Sequence, residues 1–265
     1  MTLPVYFISH GGGPWPWMPE ARPSYAGLIA CLENLAADLP ARPKAVVMVS
    51  AHWEEENQFA IMSSAQPPML YDYYNFPEHT YHIQYPAPGS PELAQRIASL
   101  LNQAGLQTRS DTSRGFDHGA FVPLALMFPE ADIPVVQVSI QASYNPAIHF
   151  ELGRALAPLR AEGYLIVCSG LSYHNLREIR SIGAEPSAQF DAWLQKVVVQ
   201  EAPEQRLEQL THWELAPAAR RAHPREDHLV PLRVAAGAAE NEAATCIQHD
   251  TDSFAGITTS SFRFG

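Results

Sequence analysis

The sequence has 265 residues, a formal net charge of −11 at neutral pH and 46% hydrophobic residues. This length suits one large domain or two small ones, and the absence of a linker-like stretch predicts a single domain over residues 1–265. The acidic balance and the lack of a basic cluster argue against nucleic acid or an anionic membrane surface as a partner. No run of about 18 apolar residues predicts a membrane span.

The N-terminus lacks the basic and apolar regions of a secretory signal. Cys31, Cys168 and Cys246 are few, odd in number and widely spaced, which argues against a disulfide framework and a zinc ribbon. We therefore expect a cytoplasmic protein.

Apolar runs rich in β-branched residues predict strands that are buried on both faces of a sheet. These runs cover residues 5–9, 45–50, 133–140 and 164–169. The less apolar segments 58–64 and 257–265 are interpreted as edge strands.

Amphipathic patterns predict helices between the strands, over residues 25–38, 90–105, 148–161, 188–199 and 229–239. The clearest of them begins with Ser90 as N-cap and Pro91 at the first helical position, and ends at Gly105. The alternation of strands and helices predicts an α/β fold, a three-layer α/β/α arrangement with a largely parallel central sheet. The proline-rich, aromatic stretch 65–89 is predicted to be a long loop, and long loops in compact domains are often functional.

Three predicted strands each end at a serine, and a histidine follows within a few residues. The three segments are "PVYFISHGGGP" (His10), "AVVMVSAHWE" (His52) and "VCSGLSYHNL" (His174). Ligands of open α/β sheets bind beyond the carboxyl ends of the strands, so these side chains share one edge if the strands are parallel. His118 in "GFDHGAFVPL" and His228 in "EDHLVPL" also stand in unusual settings. The remaining histidines are interpreted as surface or structural residues: His79, His82, His149, His212, His223 and His249.

Neutral imidazole is the commonest nitrogen ligand of metals, and three protein ligands with an open position are typical of a catalytic site. A serine hydrolase is the rival interpretation. "HGGG" resembles a lipase oxyanion-hole segment, and "GLSYH" matches the G-x-S-x-G nucleophile elbow around Ser172 except at its last position. There His174 replaces a glycine that permits close strand–helix packing, so the rival is disfavoured.

Six motifs together resemble the class III extradiol ring-cleavage dioxygenases, in particular the DOPA 4,5-dioxygenase-like branch of the LigB superfamily. They are "SHGGGP", "VSAHWE", "YPAPGSPELA", "GFDHGAFVPL", "SGLSYHNLR" and "EDHLVPL", and they run in the family's order from Ser9 to Leu232. The resemblance implies a single catalytic domain with a non-haem Fe(II) site. Such a site cleaves a catechol with O₂ beside the two hydroxyls, to a product of the muconic semialdehyde type. Zn(II) is the expected competitor in purified protein, because it also binds imidazole well.

By this resemblance His10, His52 and His228 are the metal ligands. His228 stands where protocatechuate-type members have a glutamate. His174 resembles the acid/base histidine, with a direct contact to the metal left open. His118 resembles a histidine that contacts the substrate or supports the site. Three neutral imidazoles leave the site charge at +2, which favours a catecholate anion.

The resemblance leaves several points open. The "HGGGP" segment departs from the "HGSP" form of this branch, and with Trp15 and Trp17 it leaves the natural catechol undetermined. The aromatic residues of the long loop, Tyr71, Tyr73, Tyr74 and Phe76, are candidates either to cover a substrate ring or to pack the loop on the core. A hydrolase that uses zinc or Ser172 and a non-enzymatic metal-binding relative are the alternative functions. The expected partners are a small catechol and O₂, and the oligomeric state, including a homo-oligomer, is undetermined.

Overall fold

A mixed sheet of eight strands forms the centre of the chain in the computed structural model, which describes residues 2–253 and 256–265. The strand order is β4-β3-β5-β2-β6-β1-β8-β7. The strands are β1 Val5–Ser9, β2 Ala45–Glu55, β3 Phe59–Met62, β4 Thr108–Asp111, β5 Val135–Gln141, β6 Tyr164–Gly170, β7 Ala244–Ser253 and β8 Ile257–Phe264.

The four strands at the centre of the sheet, β5, β2, β6 and β1, are parallel neighbours. Antiparallel pairing occurs toward the margins, where β3 pairs with β5, β8 with β1 and β7 with β8. The predicted, largely parallel sheet is therefore confirmed. The carboxyl ends of β1, β2 and β6 lie at one edge, as the strand-end histidines require.

Helices cover both faces of the sheet and complete the predicted three layers. On one face, α1 and α3 pack with Tyr6 and Ile8 of β1, and on the other face α2, α4, α6 and α9 pack with Val5 and Phe7. The helices are α1 Ala26–Leu35, α2 Pro91–Gln103, α3 His118–Met127, α4 Pro146–Leu156, α5 Pro158–Ala161, α6 Ala184–Gln195, α7 Pro203–Thr211, α8 Ala219–Ala222 and α9 Val230–Ala238.

Both segments interpreted as edge strands are strands, but their placement at the edge is wrong. β3 and β8 are interior, and the margins are β4 and β7, which were not predicted. The polar residues of β8 misled the interpretation because they are buried with partners. Ser261 Oγ accepts the backbone N–H of Ser9 at 3.0 Å and donates to Gln248 Oε1 at 2.9 Å. β4 has the polar sequence TRSD, which carries no apolar signal.

The helix predictions hold best where a cap and an amphipathic face coincide. In α2 the Ser90 hydroxyl accepts the backbone N–H of Leu93, as predicted. The predicted helix over 148–161 is divided into α4 and α5, because Pro158 begins a new helix. The helix predicted over 188–199 is α6 followed by a π-helical turn, Lys196–Gln200. α3, α7 and α8 were not predicted.

α3 escaped prediction because it is buried on nearly all sides and contains Pro123, so it shows no amphipathic pattern. β2 also differs from its prediction. It continues past Ser50 to Glu55, and its register with β5 shifts between Val49 and Glu54. His52 therefore lies within a strand and not beyond its end.

Within the described residues, no helix combines the length and the apolar character that a membrane crossing requires. The three cysteines are free thiols, in agreement with the absence of a predicted disulfide framework.

Candidate metal centre and active site

The five histidines singled out in the sequence meet at the carboxyl edge of the sheet. The ring centroid of His52 lies 4.9 Å from that of His10, 4.0 Å from that of His118 and 4.9 Å from that of His228. His174 stacks on His228 with 3.4 Å between ring centroids. His10 follows β1 directly, His118 is the first residue of α3, and His228 lies two residues before α9. Three of the five, His10, His118 and His228, are buried, and His52 and His174 are partly exposed.

The Nε2 atoms of three of these histidines converge. His52 Nε2 lies 3.1 Å from His10 Nε2 and 3.2 Å from His228 Nε2. For comparison, two nitrogens that bind one tetrahedral zinc at about 2.0–2.1 Å are roughly 3.3 Å apart. The separations are therefore those of nitrogen atoms that can share one ion.

The opposite ring nitrogen of each of these three histidines contacts an acceptor. His10 Nδ1 lies 3.0 Å from Ser169 Oγ, and this hydroxyl already donates its proton to the Gly119 carbonyl. His52 Nδ1 lies 3.2 Å from Asp72 Oδ2, and His228 Nδ1 lies 2.7 Å from Asp227 Oδ2. The two carboxylates only accept, and the Ser169 hydroxyl has no second proton to donate, so each Nδ1 is the donor and each neutral ring presents a lone pair at Nε2.

Lone pairs that face each other at this distance repel unless a cation lies between them. A divalent metal ion satisfies this requirement, and acceptors that fix the Nδ1 proton are the usual support of metal-binding histidines. The residues present therefore fit a metal ion.

Burial and mutual proximity keep the cluster largely neutral. Burial, followed by the charge of His52, holds the pKa of His10 well below its usual range, and burial with the charge of His174 does the same for His228. Burial alone would lower the pKa of His52 as well, but the hydrogen bond to Asp72 and the nearby carboxylates raise it overall. Protons therefore compete for this cluster chiefly at His52.

Asp72 is the site residue that sequence reasoning missed. Its Oδ1 accepts from both the backbone N–H of His118, at 2.9 Å, and His118 Nδ1, at 2.8 Å, while Oδ2 faces His52. Burial would raise the pKa of this carboxyl, but the hydrogen bonds from His118 and His52 hold it far below its usual range. Asp72 lies among aromatic residues of the long loop, and no spacing in the sequence connects it to a histidine.

Two sets of three residues each bring their potential donor atoms within 4.8 Å of one another. One set is His10, His52 and His118, and the other is His174, Asp227 and His228. Neither set is the one that the resemblance implies, which is His10, His52 and His228. That set takes two residues from the first set and one from the second, and His52 Nε2 lies close to both His10 Nε2 and His228 Nε2. His118 differs from these three histidines because its Nδ1 shares the Asp72 carboxylate with His52. Asp227 differs because its carboxylate contacts His228 Nδ1.

His174 reaches the cluster from a short segment beyond β6, as predicted, but its support differs from the prediction. Asn175 and Ser172 do not hold its ring. The Asn175 amide donates to the Arg221 carbonyl, and Ser172 Oγ accepts the backbone N–H of Ser260. The His174 backbone N–H donates to the Ala222 carbonyl at 2.9 Å, and its Nδ1 lies 3.8 Å from Asp227 Oδ2. Burial lowers the pKa of His174 to about 4.

Gly170 was expected to allow a turn, but it is the last residue of β6 and its missing side chain makes room for a neighbouring segment. A Cβ at this position would lie 2.2 Å from the His228 carbonyl oxygen, and that same oxygen accepts the backbone N–H of Leu171 at 3.1 Å. Glycine therefore lets the segment that carries His228 approach the end of β6.

The residues that the structure describes do not give Ser172 the histidine partner that a serine hydrolase needs. The Ser172 hydroxyl is buried and accepts the N–H of Ser260 in β8, and His223 contacts the Ser172 carbonyl oxygen instead of its hydroxyl. No histidine ring among the described residues contacts Ser172 Oγ.

The loop aromatics divide between two environments. Tyr73 is buried, packs edge-to-face on His118 with 5.9 Å between ring centroids, and donates its hydroxyl to the Thr80 carbonyl. The Phe76 ring fills the space where a Cβ of Gly13 would lie. Tyr74 is 80% exposed. Tyr73 therefore packs directly on the site, Phe76 packs against Tyr73, and Tyr74 faces solvent.

Comparison with known proteins identifies the family. Residues 5–265 match the model of the catalytic LigB subunit of aromatic ring-opening dioxygenase. The chain belongs to the LigB family. It is 41% identical over 254 residues to a protein of Beta vulgaris named 4,5-DOPA dioxygenase extradiol. The aligned region covers 94% of this chain and 91% of the relative. It is 37% identical over 284 residues to a dioxygenase of Hapsidospora irregularis, which covers 99% of this chain and 85% of the relative.

The fold has a solved counterpart in an uncharacterized protein of Escherichia coli K12, with a TM-score of 0.78, 32% sequence identity, and coverage of 99% of this chain and all of the other. Membership of the LigB family makes this chain an extradiol aromatic ring-opening dioxygenase, an oxidoreductase that acts on a small aromatic molecule and O₂. LigB extradiol dioxygenases depend on a metal, and the buried histidine cluster is able to bind one.

Proposed function

We propose that residues 1–265 form one catalytic domain that holds a mononuclear Fe(II) through His10, His52 and His228 and cleaves a catechol to a muconic semialdehyde type of product. The observation that carries the proposal is the convergence of Nε2 atoms in three rings whose Nδ1 atoms each contact an acceptor. When bound, Fe(II) supplies a redox-active Lewis acid that brings a catechol and O₂ to reaction together. Zn(II) fits the same nitrogen atoms and is the expected contaminant.

The proposed substrate follows from charge and from the relatives. Three neutral imidazoles leave the full +2 charge of the ion available to a catecholate. Tyr73 supplies aromatic surface beside His118, and Phe76 packs against Tyr73. DOPA, which the name of the Beta vulgaris relative contains, is the first catechol to test.

His174 is the proposed acid/base. Its side chain is 19% exposed, it lies against His228, and neither of its ring nitrogens has a hydrogen-bond partner among the described residues. A pKa lowered to about 4 leaves the ring neutral at neutral pH, so it is free to accept a proton from a catechol hydroxyl and to return it later. His118 is the proposed second group, because one of its ring nitrogens lies within 4.8 Å of donor atoms of His10 and His52.

The test is reconstitution without oxygen. Metal-free protein is loaded with Fe(II), mixed with DOPA or another catechol under argon, and then exposed to air. We expect one O₂ consumed per catechol and a yellow ring-opened product, whose mass increases by one O₂ and whose NMR spectrum shows an aldehyde and a single new carboxylate. A dicarboxylic muconate would contradict extradiol cleavage, and ester hydrolysis without O₂ uptake would favour the hydrolase alternative.

Metal content tests the ligand assignment separately. In His10→Ala, His52→Ala and His228→Ala we expect bound iron to fall sharply while circular dichroism shows an intact fold. His82→Ala is the control, because His82 is exposed and contacts only Glu78 among the described side chains. Full iron retention in one of the three variants would remove that residue from the site.

A further inference from the structure

A single carboxylate orients two histidines of this site. Asp72 accepts two N–H groups of His118 at Oδ1 and faces His52 Nδ1 at Oδ2, 3.2 Å away. We propose that Asp72 is a positioning residue that keeps the Nε2 atoms of His52 and His118 unprotonated at the same time. The proposal rests on the proposed function in that His52 is taken to bind the metal.

The loop that carries Asp72 is held firmly at both sides of it. The Leu70 N–H donates to the Phe116 carbonyl and the Phe116 N–H donates to the Pro68 carbonyl, each at 2.9 Å, so the loop pairs with the segment leading to α3. After Asp72, the Tyr73 hydroxyl donates to the Thr80 carbonyl at 2.5 Å. The carboxylate is thereby fixed while its side chain remains only 18% exposed.

Only a carboxylate presents an acceptor oxygen both to the two N–H groups of His118 and to His52 Nδ1. The backbone N–H and the Nδ1–H of His118 both require an acceptor at Oδ1, so an asparagine in this place would direct its oxygen to His118. Its NH₂ group would then face His52 Nδ1 and favour the tautomer with the proton on Nε2. That proton occupies the lone pair that a metal ion needs.

We therefore expect Asp72→Asn to bind Zn²⁺ about 10–100-fold more weakly than the unsubstituted protein, the range found when the partner of a metal-binding histidine is lost. The dissociation constant is measured by competition with a chromophoric chelator, and no turnover is needed. Asp191→Asn is the matched control. Asp191 is a buried carboxylate that lies 3.2 Å from His249 Nδ1 outside the cluster, so its loss should leave the Zn²⁺ affinity unchanged.

Histidine tautomers give an independent readout that does not depend on a variant. In Zn²⁺-loaded protein with ¹⁵N-labelled histidine, we expect long-range ¹H–¹⁵N spectra to show Nδ1 of His52 and His118 protonated. A deprotonated Nδ1 in either ring would overturn the proposal even if Asp72→Asn does not fold. Unchanged affinity in a folded Asp72→Asn variant would overturn it as well.

The His52→Ala variant separates this proposal from the proposed function. If His52→Ala loses Zn²⁺ but Asp72→Asn does not, only the positioning role is wrong. If His52→Ala binds Zn²⁺ like the unsubstituted protein, the metal assignment itself is wrong.

Discussion

Two histidines flank the cluster in opposite environments. His118 is buried, and its Nδ1 is committed to Asp72. His174 has no ring hydrogen bond among the described residues and retains some contact with solvent. A group that must take up a proton and release it again needs an exchange route, which His174 has and His118 lacks. This difference favours His174 as the acid/base.

We expect His174→Gln to lower kcat on the order of 10²–10⁴-fold, the range typical for the loss of a general acid/base, because glutamine keeps the polarity but cannot carry the proton. Steady-state O₂ uptake by the Fe(II)-loaded variant measures kcat, and iron content is determined on the same sample. Iron occupancy should stay close to that of the unsubstituted protein.

His82→Gln, at an exposed position, is the control for the substitution itself. A collapse of iron occupancy in His174→Gln would make His174 a ligand instead of a base. Unchanged turnover would transfer the role to His118.

At the level of elements, the approach of α3 to β2 sets the geometry around His52. Gly119 is the contact point, because a Cβ there would lie 2.5 Å from Ser50 Oγ and 2.8 Å from His52 Cδ2. Asp117, the N-cap residue of α3, also holds this helix against β2. The buried Asp117 carboxylate accepts from Ser50 Oγ at 2.7 Å and from Gln137 Nε2 at 2.8 Å, and it pairs with Arg114.

We expect Gly119→Ala to weaken metal binding by at least about tenfold and to lower the free energy of unfolding by about 1–3 kcal/mol, as overpacking of a well-packed site does. The added methyl group must displace either the His52 ring or the Ser50 side chain. Chelator competition measures the metal affinity, and urea unfolding of the metal-free protein measures the stability.

Gly27→Ala is the matched control, since the Cβ would lie 3.6 Å from the Asp250 carboxylate, an ordinary contact, within α1. It should leave metal binding unchanged and stabilise the helix by about 0.5–1 kcal/mol. Wild-type metal affinity in Gly119→Ala would show that α3 can shift away from β2 without disturbing His52.

Over the whole molecule, the parts that could be predicted from the sequence are those with a repeated local signal. The parallel strands of the centre are continuous apolar runs, and a histidine beyond such a run has few places to lie except the carboxyl edge of the sheet. His10 and His174 are found beyond the ends of β1 and β6, where that reasoning put them, whereas His52 lies within β2.

The remaining features depend on contacts between distant segments. β7 and β4 are polar margins of the sheet, and α3 is too uniformly buried to show a periodic pattern. Asp72 is joined to His118 across 46 positions of the chain, and only the folded loop brings them together. Long-range polar contacts of this kind leave no trace in local spacing.

A histidine outside the cluster connects the fold to pH. His149 is buried in α4, where its Nδ1–H donates to the Asn145 carbonyl at 2.8 Å and its Nε2 accepts the Gln141 N–H at 3.0 Å. If His149 Nε2 were also protonated, its N–H would point at the Gln141 N–H and this hydrogen bond would be lost. Burial, the main cause, lowers the pKa of His149 to about 4.

Because this pKa is below that of an unfolded histidine, about 6.5, the unfolded chain binds more protons between these two values. The stabilising contribution of neutral His149 is complete above pH 6.5 and is lost as the pH falls toward 4. At pH 5 the loss amounts to about 2 kcal/mol relative to pH 7.5. We expect His149→Gln to remove this part of the pH dependence, since glutamine can still accept the Gln141 N–H but does not titrate.

Urea unfolding of metal-free protein at pH 7.5 and pH 5, for the unsubstituted chain and for His149→Gln, measures the difference. The unsubstituted chain should lose about 2 kcal/mol more than the variant between the two pH values. His212→Gln, at an exposed position, should follow the unsubstituted chain. Working without metal keeps proton competition for bound metal out of the comparison, and the site histidines contribute equally to all three proteins. An identical pH dependence in His149→Gln would mean that the fold accommodates a charged His149, with the Gln141 N–H released to another acceptor.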